Sequence, residues 1–246
     1  MTEPTAPPTR EETNWAKPTA ALHTGTLQSS AINLNVEGRQ LTGPLKGFGQ
    51  MWQKTYWVRL EGAAVTPEQV IATWKAEFPS FWPKGNRFFK HEAGIKPGEV
   101  AVLNLAAPGG PPVTLISTGI MVIYADEISF SFMTPEGHMF GGLITFSAHE
   151  AEGATVAHIQ ALIRPSDPFF ELIFRLGLGH KGEDQFWLAT LRNLAGRFKA
   201  QGAPQMKAEL IDPRVQWGQA GMLWKNAAIR TGMYLPVAWA KRLLRR

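Results

Sequence analysis

The chain reads as an α+β domain in which an antiparallel sheet wraps around one long helix. Three observations carry that reading. A strand, a capped helix and an aromatic-proline exit occupy residues 51–83. Short turns separate the apolar stretches that follow, up to residue 164. An amphipathic helix, GEDQFWLATLRNLAGRFKA, comes after the last of them. Closely spaced strands pair with their neighbours as a meander, and helices with one apolar stripe must bury it against the sheet. Between sheet and helix such an arrangement leaves an apolar hollow.

The first 30 residues mix Pro, Thr, Ala, Glu and Ser without periodicity. Residues 1–45 are therefore expected to form a mostly disordered arm, and Gly38, Gly43, Pro44, Gly47 and Gly49 make residues 31–50 an irregular approach to the first strand. Thr55–Leu60 alternates as a strand, with Tyr56, Val58 and Leu60 on one face and Trp57 and Arg59 on the other. Thr66 is then an N-cap, Pro67 the first helical residue, and Gln69 the third, which completes a capping box. Val70, Ile71, Trp74 and Phe78 recur at helical spacing. Pro79 ends the helix, and Phe81-Trp82-Pro83 continues as an aromatic connector. These rings read as core packing or, for some, as the wall of a cavity.

Strands are expected at about 86–91, 99–106, 113–125, 127–134, 139–149 and 154–164. Lys96-Pro97-Gly98, Pro108-Gly109-Gly110-Pro111, Pro135-Glu136-Gly137 and Glu152-Gly153 supply the turns. If Glu152-Gly153 is a two-residue turn, Ala151 faces Ala154. Phe146–Ile159 and Ile144–Ala161 then share one face, while Ser147–His158 and Thr145–Gln160 share the other. That register turns the apolar face toward the helix and His158 toward water. On the strand at 113–125 the faces are ambiguous, because Met121, Ile123 and Ala125 are as apolar as Ile120 and Val122.

Asp167-Pro168 opens a helix that is apolar almost all round, FFELIFRLGL, with Glu171 and Arg175 as an i,i+4 pair on its wet stripe. Gly177, Gly179 and Gly182 are expected to break it. The long helix should run from about 183 to 200, with Trp187, Leu191, Leu194 and Phe198 inward. Glu183 and Asp184 suit its N-terminus, and Arg197 and Lys199 its C-terminus. Residues 46–202 thus form the central domain, and 203–246 an extension in which Trp217, Met222, Trp224 and Ile229 serve as apolar anchors.

Composition excludes several classes of chemistry. The 246 residues contain no cysteine, so disulfides, thiolate nucleophiles and Cys-based metal sites are absent. The N-terminal stretch lacks the apolar core of a signal peptide, and no run of about 18 uncharged apolar residues suggests a membrane span. The expected location is the cytoplasm. Seven of the 25 Lys and Arg (Arg214, Lys225, Arg230, Lys241, Arg242, Arg245, Arg246) follow Asp212 with no acid among them, which leaves 18 against 20 acids before that point. A basic end of this kind either meets an anionic surface or merely solubilises and packs on the body.

The motifs carry little catalysis. G-L-G-H-K-G at 177–182 matches the dinucleotide glycine pattern in letters only, since it follows a helix and lacks a βαβ setting; it reads as a helix–helix turn. No HExxH, Walker loop or GxSxG is present. The six histidines are scattered away from metal-ligand spacing. His91-Glu92 is a weak acid/base candidate, because adjacent strand residues point to opposite faces. Arg164 and Asp167 bracket Pro165, where they either ion-pair to fix the corner or reach a pocket mouth.

The strand TYWVRL, the helix start TPEQVIATW, the exit FPSFWP and the terminal helix QFWLATLRNLAGRF together resemble the helix-grip family, the START-like superfamily that includes the pollen allergen Bet v 1 and polyketide cyclase/dehydrase and lipid-transport proteins. The resemblance covers about 60 % of the chain and implies a curved sheet of about seven strands gripping the C-terminal helix around an apolar cavity. Members bind lipids, sterols, polyketides or hormones, and some are cyclases or hydrolases, a choice that fold alone does not make. The chain differs from a minimal member in its N-terminal arm, its extra helix at 168–178 and its basic tail.

The leading expectation is a soluble, non-enzymatic protein that binds or transfers a hydrophobic small molecule, with no cofactor, metal or nucleic-acid partner. Its wall would comprise Trp74, Phe78 and Trp82, then Tyr124, Phe130, Phe132 and Phe146 from the sheet, and Trp187, Leu191 and Leu194 from the terminal helix. Tyr124 and Arg164 are the expected polar orienting groups. One rival is a cyclase- or hydrolase-like enzyme in the same cavity, with Glu92, His138 or Asp167 as its titratable group. Another is a docking protein with a filled core that meets an anionic membrane through residues 213–246. An internal void of a few hundred Å³, and a carboxylate or histidine in its wall, would separate these readings.

Overall fold

The computed structural model describes residues 11–25, 31–89, 94–106 and 113–243, with side chains as far as 236. The described residues form nine strands: β1 (Leu41–Thr42), β2 (Met51–Arg59), β3 (Arg87–Phe89), β4 (Val100–Leu105), β5 (Ile116–Ala125), β6 (Ser129–Pro135), β7 (Phe140–Ala151), β8 (Ala154–Pro165) and β9 (Gln205–Asp212). Four α-helices accompany them: α1 (Pro67–Glu77), α2 (Pro168–Arg175), α3 (Leu178–Arg197) and α4 (Ala227–Leu243). Every strand pair is antiparallel. The order is β3-β4-β5-β6-β7-β8-β2-β9, with β1 beside β6. α1 packs on β7 and β8, and α3 on β2. This is the expected helix-grip fold, a large antiparallel sheet wrapped around α3.

Local chemistry produces these elements much as anticipated. The Thr66 hydroxyl accepts from the Gln69 N–H at 3.4 Å, and the Gln69 side chain accepts from the Thr66 N–H at 3.0 Å. In the β7–β8 hairpin, Glu152 and Gly153 both hold positive φ, 48° and 77°, as a two-residue turn of matching twist requires. Ala151 pairs with Ala154, Phe146 with Ile159 and Ile144 with Ala161, the register expected. Phe130 and Phe146 stack at 4.7 Å beneath Trp74, which meets Phe146 edge-on at 5.3 Å.

Other elements differ from expectation, each for a physical reason. β2 begins at Met51 rather than Thr55, so Trp52 and Lys54 join the alternation of Tyr56 and Val58. α3 begins at Leu178 and runs through Gly179 and Gly182, so those glycines do not break it. Leu176 and Gly177 make the turn between α2 and α3, with Gly177 in the left-handed region at φ 77°. A Cβ on Gly179 would lie 2.4 Å from the Phe174 ring, so glycine lets the two helices close on each other.

The arm expected to be disordered packs, where it is described, on the convex face of the sheet. Leu22 and Val36 form a second core with Phe89, Val100, Val102 and Met121, and Trp15 bridges to Tyr124. This explains the apolar character of both faces of β5: Ile120 and Val122 belong to the concave core and Met121 to the convex one. The extension past 202 also joins the body. β9 adds a strand beside β2, and α4 lies against β5, where the Thr231 hydroxyl accepts from the Ser117 N–H at 2.9 Å. Its anchors are Asn226, Ala227 and Thr231, all buried, whereas Trp217 and Trp224 are 74 % and 83 % exposed.

Candidate functional site

A cavity of about 610 Å³ separates α2 and the first half of α3 from the sheet. Side chains of β3 to β8 form its floor, and Phe170, Ile173 and Phe174 of α2 form its roof. Leu115 and Leu178 line it and are also exposed, which marks its mouth.

Four of the residues expected to form the wall line this cavity: Phe78, Trp82, Phe132 and Trp187. Trp74, Phe130, Phe146, Leu191 and Leu194 do not. They are buried in the solid core between α1, α3 and the sheet, so the aromatic convergence read as one wall divides into a packed half and a hollow half. Tyr124 is turned away altogether. A β-bulge between Val122 and Tyr124 reverses the alternation, so Ala125 packs on the concave core. The Tyr124 ring lies 4.7 Å from the Trp15 ring, tilted at 59°, and its hydroxyl donates to Asp126.

Arg164 is buried but outside the cavity. Its guanidinium donates to the carbonyls of Pro44, Gly49 and Arg214 at 3.1, 2.6 and 2.8 Å and to Asp212 at 2.8 Å. It ties the N-terminal arm, β8 and the end of β9 into one knot, and hydrogen bonds from Arg214 and Arg164 hold the Asp212 carboxyl well below the usual carboxylate range. The anticipated pair with Asp167 does not form. Asp167 caps α2, accepting from the Phe169 and Phe170 N–H groups at 2.9 and 3.1 Å, and accepts from Asn226 at 2.8 Å. Burial raises its pKa. His91 and Glu92 lie outside the described residues.

Three titratable side chains line the cavity, the exposed Lys84 and two that are withdrawn from water, His138 and Glu183. His138 is buried, and its Nδ1 accepts from the Phe140 N–H at 3.1 Å. That bond assigns the proton of the neutral ring to Nε2, and burial pushes the pKa down to about 4. The side chain of Glu183, in the first turns of α3, is also buried. Its Oε2 lies 2.9 Å from Lys54 Nζ, an ion-pair contact without hydrogen-bond alignment. Lys54 donates instead to Asp184 Oδ1 at 2.6 Å, which also accepts from the Tyr56 hydroxyl at 2.7 Å. Two carboxyls thus share one buried ammonium, with the Asp184 side chain still 22 % exposed. Burial pushes Glu183 up to about 7, against the pull of Lys54 and with the repulsion of Asp184.

Of the remaining polar wall, Thr134 and Asn86 are committed, whereas Trp82 Nε1 is buried with no hydrogen-bond partner among the described residues. The Thr134 hydroxyl donates to the Phe140 carbonyl at 2.7 Å, and Asn86 bonds Pro83 and Ala106 at 3.1 Å each. His138 Nε2 and Glu183 Oε1 make no hydrogen bond among the described residues. Nor do three His, Asp or Glu there gather as a metal site. No described helix is long and apolar enough to cross a membrane.

Sequence reasoning assigned Glu183 and Asp184 to the helix dipole and passed over Lys54. The available signal was the alternation itself: with β2 begun at Met51, Lys54 falls on the apolar face, where a charge demands a buried partner of opposite sign.

No family model and no curated protein matches the chain. Among solved structures it is similar to the di-domain ARO/CYC StfQ of the steffimycin biosynthetic pathway, at 13 % identity and a TM-score of 0.45, over 61 % of this chain and 50 % of that one. The chain therefore spans about half of StfQ. It is also similar to the KanY protein, at 13 % identity and a TM-score of 0.45, over 62 % of this chain and 99 % of that one. A third likeness is to ginseng major latex-like protein 151 from Panax ginseng, at 14 % identity and a TM-score of 0.41, over 61 % and 99 % of the two chains.

Proposed function

We propose that the protein binds a hydrophobic small molecule, of lipid, sterol or polyketide size, in the cavity between α2, α3 and the sheet. The observation that carries this reading is the cavity itself. A space of about 610 Å³ falls in the range of small-molecule sites, about 300–1,000 Å³, and its wall is apolar with few convergent polar groups. A ligand with one hydroxyl or carbonyl fits that chemistry: the His138 Nε2–H donates to an oxygen, and the Glu183 carboxyl bonds a hydroxyl. Phe78, Trp82, Phe132 and Trp187 would supply ring contacts to the apolar body. Titration with an environment-sensitive apolar dye tests the reading, with saturable one-to-one uptake expected.

A second reading, a cyclase- or hydrolase-like activity, has one specific observation in its favour. A carboxyl held near neutral pH in a cavity wall can both give and take a proton, and Glu183 is pushed up to about 7. Turnover that disappears in Glu183→Gln while dye uptake persists would select the enzyme; uptake without turnover by the wild type selects the carrier.

A further inference from the structure

α2 is apolar on two opposite sides. Phe170, Ile173 and Phe174 line the cavity, while Phe169, Leu172 and Leu176 are exposed on the outer surface. A helix apolar all round is ordinarily buried on every side, and this one is a single layer between a hollow and solvent. Leu178, which follows it, is at once exposed and part of the cavity wall, so the outer apolar surface runs into the mouth. The 3-10 segment Trp217–Lys225 packs beside α2. Asn226, held to Asp167 at 2.8 Å, fastens its end, and it adds exposed Trp217 and Trp224 to the same side.

Charge on this side has one outward sign. Arg175 pairs with Glu171, Arg214 with Asp212 and Lys225 with Glu136. In each pair the cation is the outer member, with side-chain exposures of 52, 86 and 40 % against 6, 17 and 12 %. Lys181, three residues after Leu178, is exposed as well. Leucines, tryptophans and cations therefore interleave over a layer of acids less exposed than they are.

We propose that this face docks on an anionic phospholipid bilayer. The outer leucines of α2 would enter the acyl boundary, the tryptophans sit at the headgroup level, and the cations meet lipid phosphates. A two-fold contact with a second copy fits less well, because the same patch on both partners sets these cations against their own copies. A bilayer also accounts for the continuity with the cavity mouth, since an apolar ligand could pass without crossing water. That last point alone rests on the cavity reading.

Sedimentation of the full chain with phosphatidylcholine vesicles, with and without phosphatidylserine, tests the proposal. The wild type is expected to pellet with the anionic vesicles and to be released as salt rises. Leu172→Asp/Leu176→Asp and, separately, Trp224→Ser should reduce the bound fraction by about tenfold or more, with unchanged urea midpoints and unchanged dye uptake from solution. The proposal is overturned if the wild type pellets with neither composition, if the variants pellet as the wild type does, or if they instead abolish a self-association of the chain. Dye uptake is scored separately: its absence in the wild type removes the cavity reading, while pelleting still decides docking.

Discussion

Lys54 Nζ lies 2.9 Å from Glu183 Oε2, and the two side chains are 1 % and 6 % exposed. Strand alternation turns the lysine inward beside Tyr56, and the first turns of α3 bring two adjacent acids to meet it. Charges so placed are stable only as a set, because each alone would be an uncompensated ion in a poorly solvating interior. The relationship joins strand β2 of the gripping sheet to the cavity wall.

Lys54→Met is therefore expected to lower stability by about 3–5 kcal/mol near neutral pH, the usual loss when one member of a buried ion pair is removed. Urea unfolding measures it. A change within about 0.5 kcal/mol would mean that Lys54 reaches solvent.

The cavity groups predict opposite pH dependences. Glu183 is raised from 4.5 to about 7 in the folded chain, so the fold holds a proton there that the unfolded chain releases. Its contribution is full below about 4.5 and is lost as pH rises through about 7. His138 is lowered from 6.5 to about 4, so its contribution is full above about 6.5 and is lost as pH falls through about 4. Urea midpoints across this window should show the wild type losing ground to Glu183→Gln as pH rises and gaining on His138→Asn. Parallel profiles would contradict the buried placement of both.

Trp74→Ala and Leu191→Ala should each destabilise the fold by about 2–5 kcal/mol, as large-to-small changes in a packed core do. Both side chains are fully buried and neither lines the cavity, so dye affinity should stay close to that of the wild type. Unchanged urea midpoints would place them outside the core; a large loss of affinity at full stability would place them in the wall.

Much of the architecture was legible because it follows from local rules. The Thr66 capping box, the Glu152-Gly153 turn and the β7–β8 register each rest on a few neighbouring residues, and each formed as read. What escaped depends on distant partners. Tyr124 looked like a wall residue until a bulge in β5 reversed its face, a choice set by pairing with β6. Arg164 and Asp167 stand three residues apart, yet their partners, Asp212 and Asn226, come from an extension with no periodic pattern. The anchors there are two polar residues and one alanine, so a search for large apolar residues picked the exposed Trp217 and Trp224. The division of the aromatic cluster into core and cavity depends on how far α2 and α3 stand from the sheet, which no spacing encodes.

The central claim is that the hollow half of this cluster takes up an apolar ligand. The most direct measurement is a fluorescence titration of the wild type with an environment-sensitive apolar dye, beside Ile144→Trp, which would fill cavity space, and Trp74→Ala in the core. Saturable one-to-one uptake by the wild type and Trp74→Ala, with affinity reduced about tenfold or more in Ile144→Trp, is the predicted result. No saturable uptake by the wild type, or equal uptake by all three, would contradict it.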